Sequence, residues 1–242
     1  MMLFFLLSIS SIFNLGTSGS VPEQIALTYG ASPSEIVVTW AVPGGGSVGA
    51  YVEYGLSADA LNYKADATGS TYTLKSYTSP MLFKAHINGL IEGNKVYYYR
   101  VGSTSSGFSE VFSFKSHPGI AKMGVNFHVV GDIGQTSNTV STLQEVLDNE
   151  VVLTSLSGGI ISMGDLSYAN GDEPLWDTFG KMKQFAASKI PMFTTLGNHE
   201  WFDDSAYLFT AYNARFDNPL VNGKKELYYS FDSGLAHWGK KN

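Results

Sequence analysis

The chain has 242 residues, a formal net charge of −6, 44% hydrophobic residues and no cysteine. That length can bury a core in one or two domains. The missing cysteines exclude disulfides, thiolate metal sites and a cysteine nucleophile, and the acidic balance argues against a nucleic-acid partner, which would want a basic patch.

Residues 1–20 read as a secretory signal peptide. The apolar run Leu3–Leu7 is followed by small residues, with cleavage expected within Gly16–Ser20, although no basic residue precedes the run. No segment reaches the roughly 20 strongly apolar residues of a membrane span. The expected location is therefore secreted, with a lysosomal or vacuolar one as the alternative. No Asn-x-Ser/Thr acceptor is present.

Residues 21–118 read as all-β. Ile36–Trp40, Tyr51–Tyr54, Phe83–Leu90, Val96–Val101 and Val111–Phe114 are β-branched, aromatic or alternating runs. Pro43-Gly44-Gly45-Gly46 supplies strong turn chemistry. Short strands at this spacing predict a sandwich. His117-Pro118-Gly119 marks the expected boundary, and the pattern then changes to β-α-β-α-β. The strands are Val125–Val130, Ile160–Met163 and Pro191–Leu196. The first helix is expected to be capped by Ser137 or Asn138 and to bury Val140, Leu143, Val146 and Leu147. The second begins at Pro174 and buries Leu175, Phe179, Met182 and Phe185. Such an order predicts a parallel sheet with right-handed crossovers. Residues 203–216 are a further helix candidate and Leu227–Phe231 a further strand.

Each of the three sheet strands ends in a Gly-led polar motif: Gly131-Asp132-Ile133-Gly134, Gly164-Asp165-Leu166-Ser167-Tyr168 and Gly197-Asn198-His199-Glu200. Thirty-three residues separate Asp132 from Asp165, and again Asp165 from Asn198. Ligands of open α/β sheets bind beyond the carboxyl ends of the strands, so the three motifs are expected to converge on one crevice. Taken singly, Asp132 reads as a turn residue, Tyr168 as packing and His199 as structural. Together at matching strand ends they read as a site. Two carboxylates, an amide oxygen and a phenol are hard oxygen donors, and one carboxylate can bridge a metal pair that activates water and polarises a phosphoryl group.

These motifs resemble the first three of the purple acid phosphatases, within the wider metallophosphoesterases. Most metallophosphoesterases carry Asp-x-His in the first motif; here Asp132-Ile133-Gly134 lacks the histidine, and Tyr168 stands three residues after Asp165. The resemblance implies that Asp132 and Tyr168 bind Fe(III), that Asp165 bridges, and that Asn198 binds a divalent metal (Zn, Mn or Fe). It also implies that His199 lies beside a phosphate monoester substrate as a catalytic residue. Residues 21–118, with Tyr97-Tyr98-Tyr99-Arg100-Val101-Gly102, resemble the family's fibronectin-III-like N-terminal domain, and residues 119–242 the N-terminal half of its catalytic domain. A homodimer is a further expectation. In the family, the remaining imidazoles come from a Val-x-x-His and a Gly-His-x-His motif that follow the three motifs and lie past the matched stretch; the Val125-Asn126-Phe127-His128 string here lies in the first sheet strand, ahead of all three. The expectation is a C-terminally truncated acid phosphatase with impaired hydrolysis. The alternative is a non-catalytic exported β-sandwich binding module carrying a vestigial phosphatase half-domain.

Overall fold

The structure, a computed structural model, describes residues 21–45, 49–120, 124–152, 156–201, 209–219 and 227–240. The signal-peptide segment, Gly46 of the predicted turn and most of the first half of the 203–216 helix candidate lie outside these residues.

The first half of the chain is an antiparallel β structure: β1 (Glu23–Tyr29), β2 (Ile36–Val42), β3 (Tyr51–Gly55), β4 (Tyr63–Ser70), β5 (Thr73–Leu74), β6 (Tyr77–Thr78), β7 (Met81–Ile87), β8 (Val96–Ser103), β9 (Gly107–Phe108) and β10 (Phe112–Lys115). The main path runs β1-β2-β7-β4-β3-β8-β10. The first part of β4 pairs with β3, and the second part, from Ala67 to Ser70, pairs with β7. That strand therefore joins the two faces of the sandwich. Trp40, Val52, Tyr99 and Phe114 fill the interior, with Trp40 stacked on Phe83 at 5.4 Å.

Neither β1 nor β4 is evident from the sequence pattern. β1 carries an irregularity between Glu23 and Ala26, where Gln24 adopts a left-handed φ of 59°. β4 is a mostly exposed, polar strand whose inward positions are held by alanines, so period-2 hydrophobicity is nearly absent.

The second half contains a parallel sheet, β11 (Val125–Val130), β12 (Leu156–Ser162) and β13 (Met192–Thr194), in that order. Helix α1 (Ser137–Val152) connects the first two strands and α2 (Pro174–Ala187) the last two. Pro174 does open α2. The expected face of α1 needs correction. Its buried stripe is Thr139, Leu143, Val146 and Glu150, while Val140 is 43% exposed. The Thr139 hydroxyl donates to the Ile133 carbonyl and the Glu150 carboxylate accepts from the Ser157 hydroxyl. Polar partners thus turn the buried face by one residue. The cap is Thr136, whose Oγ1 accepts the Thr139 N–H at 3.3 Å, not Ser137 or Asn138.

Beyond β13 the chain makes a 3-10 turn (Asn198–Glu200), the short helix α3 (Thr210–Arg215) and a hairpin of β14 (Tyr229–Ser233) and β15 (Ala236–Lys240). The predicted last strand therefore pairs with β15 and not with the parallel sheet. Phe231 on β14 stacks on Phe193 at 3.8 Å, and Phe193 and Tyr229 both belong to the cluster that fills the sandwich. One hydrophobic cluster therefore spans the two halves. Polar ties reinforce it: the Tyr99 hydroxyl donates to the Ser188 carbonyl at 2.6 Å, and Asn94 bonds both Ser116 and Ser157. No helix among the described residues is long and apolar enough to cross a membrane.

His117 sits at the junction, 4% exposed. Its Nδ1 accepts the Gly119 N–H at 2.9 Å, its ring meets Tyr29 edge-on, and it is hydrogen-bonded to the Asp232 backbone. Burial lowers its pKa to about 4. The unfolded chain protonates this ring near 6.5. The folded chain excludes the proton down to about pH 4, so its contribution to stability is intact above pH 6.5 and is lost as the pH falls toward 4. The loss at pH 4 is about 2–3 kcal/mol. Urea unfolding at pH 7 and pH 4.5 should show that drop, and His117→Gln should flatten it; an equally steep drop in the variant contradicts the assignment.

Candidate metal centre

The three strand ends place their motifs side by side. Met163 N–H donates to the Val130 carbonyl at 2.8 Å and Thr195 N–H to the Ser162 carbonyl at 2.9 Å, so each parallel pairing continues past the strand end. Close backbone approach then needs glycine. A Cβ on Gly164, which has φ +84°, would lie 2.8 Å from the Gly197 nitrogen, and a Cβ on Gly197 would lie 2.1 Å from Asp165 Oδ1. Both positions exclude a side chain.

Asp132, Asp165, Tyr168 and Asn170 all hold left-handed φ angles, between 49° and 54°. Non-glycine residues adopt this region only where their surroundings fix them, and such strain gathers at functional sites. The fixing groups are visible. Tyr168 Oη donates to Asp132 Oδ1 at 3.0 Å, which joins the first and second motifs. His199 N–H donates to Asp165 Oδ1 at 3.0 Å, which joins the second and third. The Tyr168 and His199 rings lie 4.1 Å apart. Asn198 is exposed and sits between Gly197, which abuts Asp165, and His199, which bonds it. The five residues expected from the sequence thus lie on three adjoining loops.

Two further residues were not assigned roles from the sequence. Glu200, 6% exposed, accepts N–H bonds from Asp165 and Gly197 at 2.8 Å and from Leu166 at 2.7 Å. It is the bolt between the second and third loops. Burial pushes its carboxyl above the ordinary carboxylate range, a rise that the three N–H donors oppose. Asn170 Oδ1 lies 2.6 Å from His199 Nδ1. An amide oxygen can only accept, so the ring donates from Nδ1 and keeps Nε2 for other partners. Glu200 carried a sequence signal as the last residue of the third motif; Asn170 carried none.

The donor set suits hard cations: the Asp132 and Asp165 carboxylates, the Tyr168 phenol and the Asn198 amide are all oxygen ligands on adjoining loops. Without a cation the Tyr168 phenol is pushed above its usual value, by desolvation first and then by the Asp132 hydrogen bond and the negative charges of Asp132, Asp165 and Glu200. A bound cation acts in the opposite direction on the phenol. Imidazoles are scarce. His86 bonds Glu35, His128 bonds Glu150, His237 bonds Asp232, and His117 is buried at the junction. Of the five histidines only His199 belongs to the three loops, and among the described residues no group of three or more His, Cys, Asp or Glu is poised around one point.

Three consecutive strand-end loops of the parallel sheet thus carry oxygen donors. Residues 125–240 match the profile of the Calcineurin-like phosphoesterase, and residues 22–116 that of the Purple acid Phosphatase, N-terminal domain. Purple acid phosphatase 21 of Arabidopsis thaliana is 36% identical over 196 residues, covering 79% of this chain and 42% of that protein. Purple acid phosphatase 22 of the same plant is 35% identical, covering 91% and 48%. A purple acid phosphatase structure from yellow lupin (Lupinus luteus) seeds superposes with a TM-score of 0.77 at 21% identity, covering 91% of this chain and 44% of that one, and shares its fold. The chain belongs to the purple acid phosphatase family, and it spans about half the length of the curated relatives it matches.

Proposed function

We propose that the three loops are the metal-holding part of a binuclear Fe(III)–M(II) centre that hydrolyses phosphate monoesters. The observation that supports it most is the meeting of the three motifs: the Tyr168 hydroxyl donates to Asp132 and the His199 N–H to Asp165, each at 3.0 Å. In this reading Asp132 and Tyr168 hold the ferric ion, Asp165 bridges, and Asn198 holds the divalent ion (Zn, Mn or Fe). Such a pair, when bound, polarises the phosphoryl group and lowers the pKa of coordinated water. The chain's own residues do the remaining work. His199, fixed through Nδ1 by Asn170, presents Nε2 to the ester and donates to the leaving oxygen when protonated. Glu200 keeps the Asp165 and His199 loops in register.

The described residues offer oxygen donors and one imidazole, so we infer weak metal retention and slow turnover for these 242 residues. With Fe(III) and Zn(II) supplied, the purified chain should hydrolyse p-nitrophenyl phosphate slowly at acidic pH. Asp165→Ala should abolish the activity. A stable chain with neither metal uptake nor turnover overturns the enzymatic reading and leaves the non-catalytic module in its place.

A further inference from the structure

One cavity lies away from the three loops. It has a volume of about 230 Å³ and lies between the sandwich and the α2–α3 side of the second half. Trp40 and Phe83 contribute to its wall from the sandwich, and Trp176, Phe179 and Phe216 from the other side. For comparison, an apolar protein cavity of about 150 Å³ accommodates benzene. The space therefore admits one aromatic ring with a substituent.

One charged group in this wall is unexplained. Lys183, on α2, is 5% exposed and lines the cavity. Among the described residues it has no hydrogen-bond or ion-pair partner; its contact is with the Phe216 ring, 5.3 Å from Nζ to the centroid. The neighbouring charges are already engaged. Lys84 pairs with Asp217 at 2.9 Å, and Arg215 pairs with Asp177 at 2.8 Å. A buried ammonium without a counter-ion is costly, and burial together with the Arg215 charge lowers its pKa to about 8. A lysine retained in such a place calls for an anion. The uncompensated charge is single, so a monoanion balances it, whereas a phosphate dianion would leave a net negative charge among aromatic rings.

We infer that this cavity binds a small aromatic monocarboxylate, the ring held among Trp40, Phe83, Trp176 and Phe179 and the carboxylate paired with Lys183 Nζ. The site is separate from the three loops and is independent of their metal content.

Benzoate is the probe, titrated into the whole chain by calorimetry and followed by thermal unfolding. Saturable binding with a rise in Tm is expected. Lys183→Met should weaken benzoate by about tenfold or more, the loss of one charge-assisted hydrogen bond. The variant should still fold, because it removes an unpaired buried charge, and Lys183→Gln gives a second test of the same loss. Benzyl alcohol, which has the ring without the charge, should bind the wild type more weakly and should not distinguish it from Lys183→Met. Excess inorganic phosphate should not displace benzoate. The assignment is overturned if benzoate fails to bind, if both lysine variants bind it as tightly as the wild type, or if phosphate displaces it.

Discussion

Replacing Arg215 by methionine is expected to cost about 3–5 kcal/mol of unfolding free energy, the usual result of stranding the partners of a buried charge. The Arg215 side chain is 7% exposed. It donates to Asp177 Oδ1 at 2.8 Å, to Gln24 Oε1 at 2.9 Å and to the Tyr77 hydroxyl at 2.8 Å, and it lies within 3.4 Å of the Tyr72 hydroxyl. Those partners belong to four segments: α2, β1, the β5–β6 hairpin and the residue just before it. Tyr72 and Tyr77 in turn donate to Glu173 and Asp177. Without the guanidinium, three acidic or phenolic groups and an amide face one another with no cation between them. Lysine is a poor substitute, since it has no planar fork to reach several acceptors at once. Arg215→Lys should recover part of the loss, and Arg215→Met combined with Asp177→Asn should cost less than the two single changes added together. Denaturant unfolding measures all four; strict additivity would show that the network is not coupled.

Glu200→Ala should cost about 3–5 kcal/mol, because three N–H groups, one buried and two part-buried, lose their carboxylate acceptor and each unmet buried donor costs about 1–3 kcal/mol. The damage should be local in the structure as well as global in stability. Asp165 and Gly197 both hang from Glu200 Oε2, so the second and third loops should separate at the point where Asp165 and His199 meet. Glu200→Gln keeps an amide oxygen for part of this work and should lie between wild type and alanine. Backbone amide exchange at Asp165, Leu166 and Gly197 checks the mechanism: these three should lose protection first in the alanine variant. Unchanged protection there, with lost stability elsewhere, would contradict the role assigned to Glu200.

The three loops were legible in the sequence because each is a short motif at a strand end, and spacing alone places strand ends together. The placement of Asp132, Asp165, Tyr168, Asn198 and His199 on adjoining loops was readable for that reason. What joins them was not. The Glu200 and Asn170 contacts cross 34 or 35 and 29 residues of sequence, and no local pattern announces such a bond. The same limit hid the Arg215 network, whose partners range from Gln24 to Asp177. Strands β2, β3, β7, β8 and β10 were readable because they are rich in β-branched and aromatic residues. The polar, alanine-faced β4 and the irregular β1 were not. In α1, hydrophobic periodicity pointed to Val140, but the hydrogen bonds of Thr139 and Glu150 set the buried face. Hydrophobicity reads burial well only where buried residues are apolar.

Tyr168 and Asp132 are proposed to hold iron. Titrating the purified chain with Fe(III) while recording the visible spectrum tests it most directly. The proposed ligation predicts a tyrosinate-to-iron absorption band that grows to saturation, is weakened in Asp132→Asn and is absent in Tyr168→Phe. No band in the wild type, or an equal band in Tyr168→Phe, would contradict it.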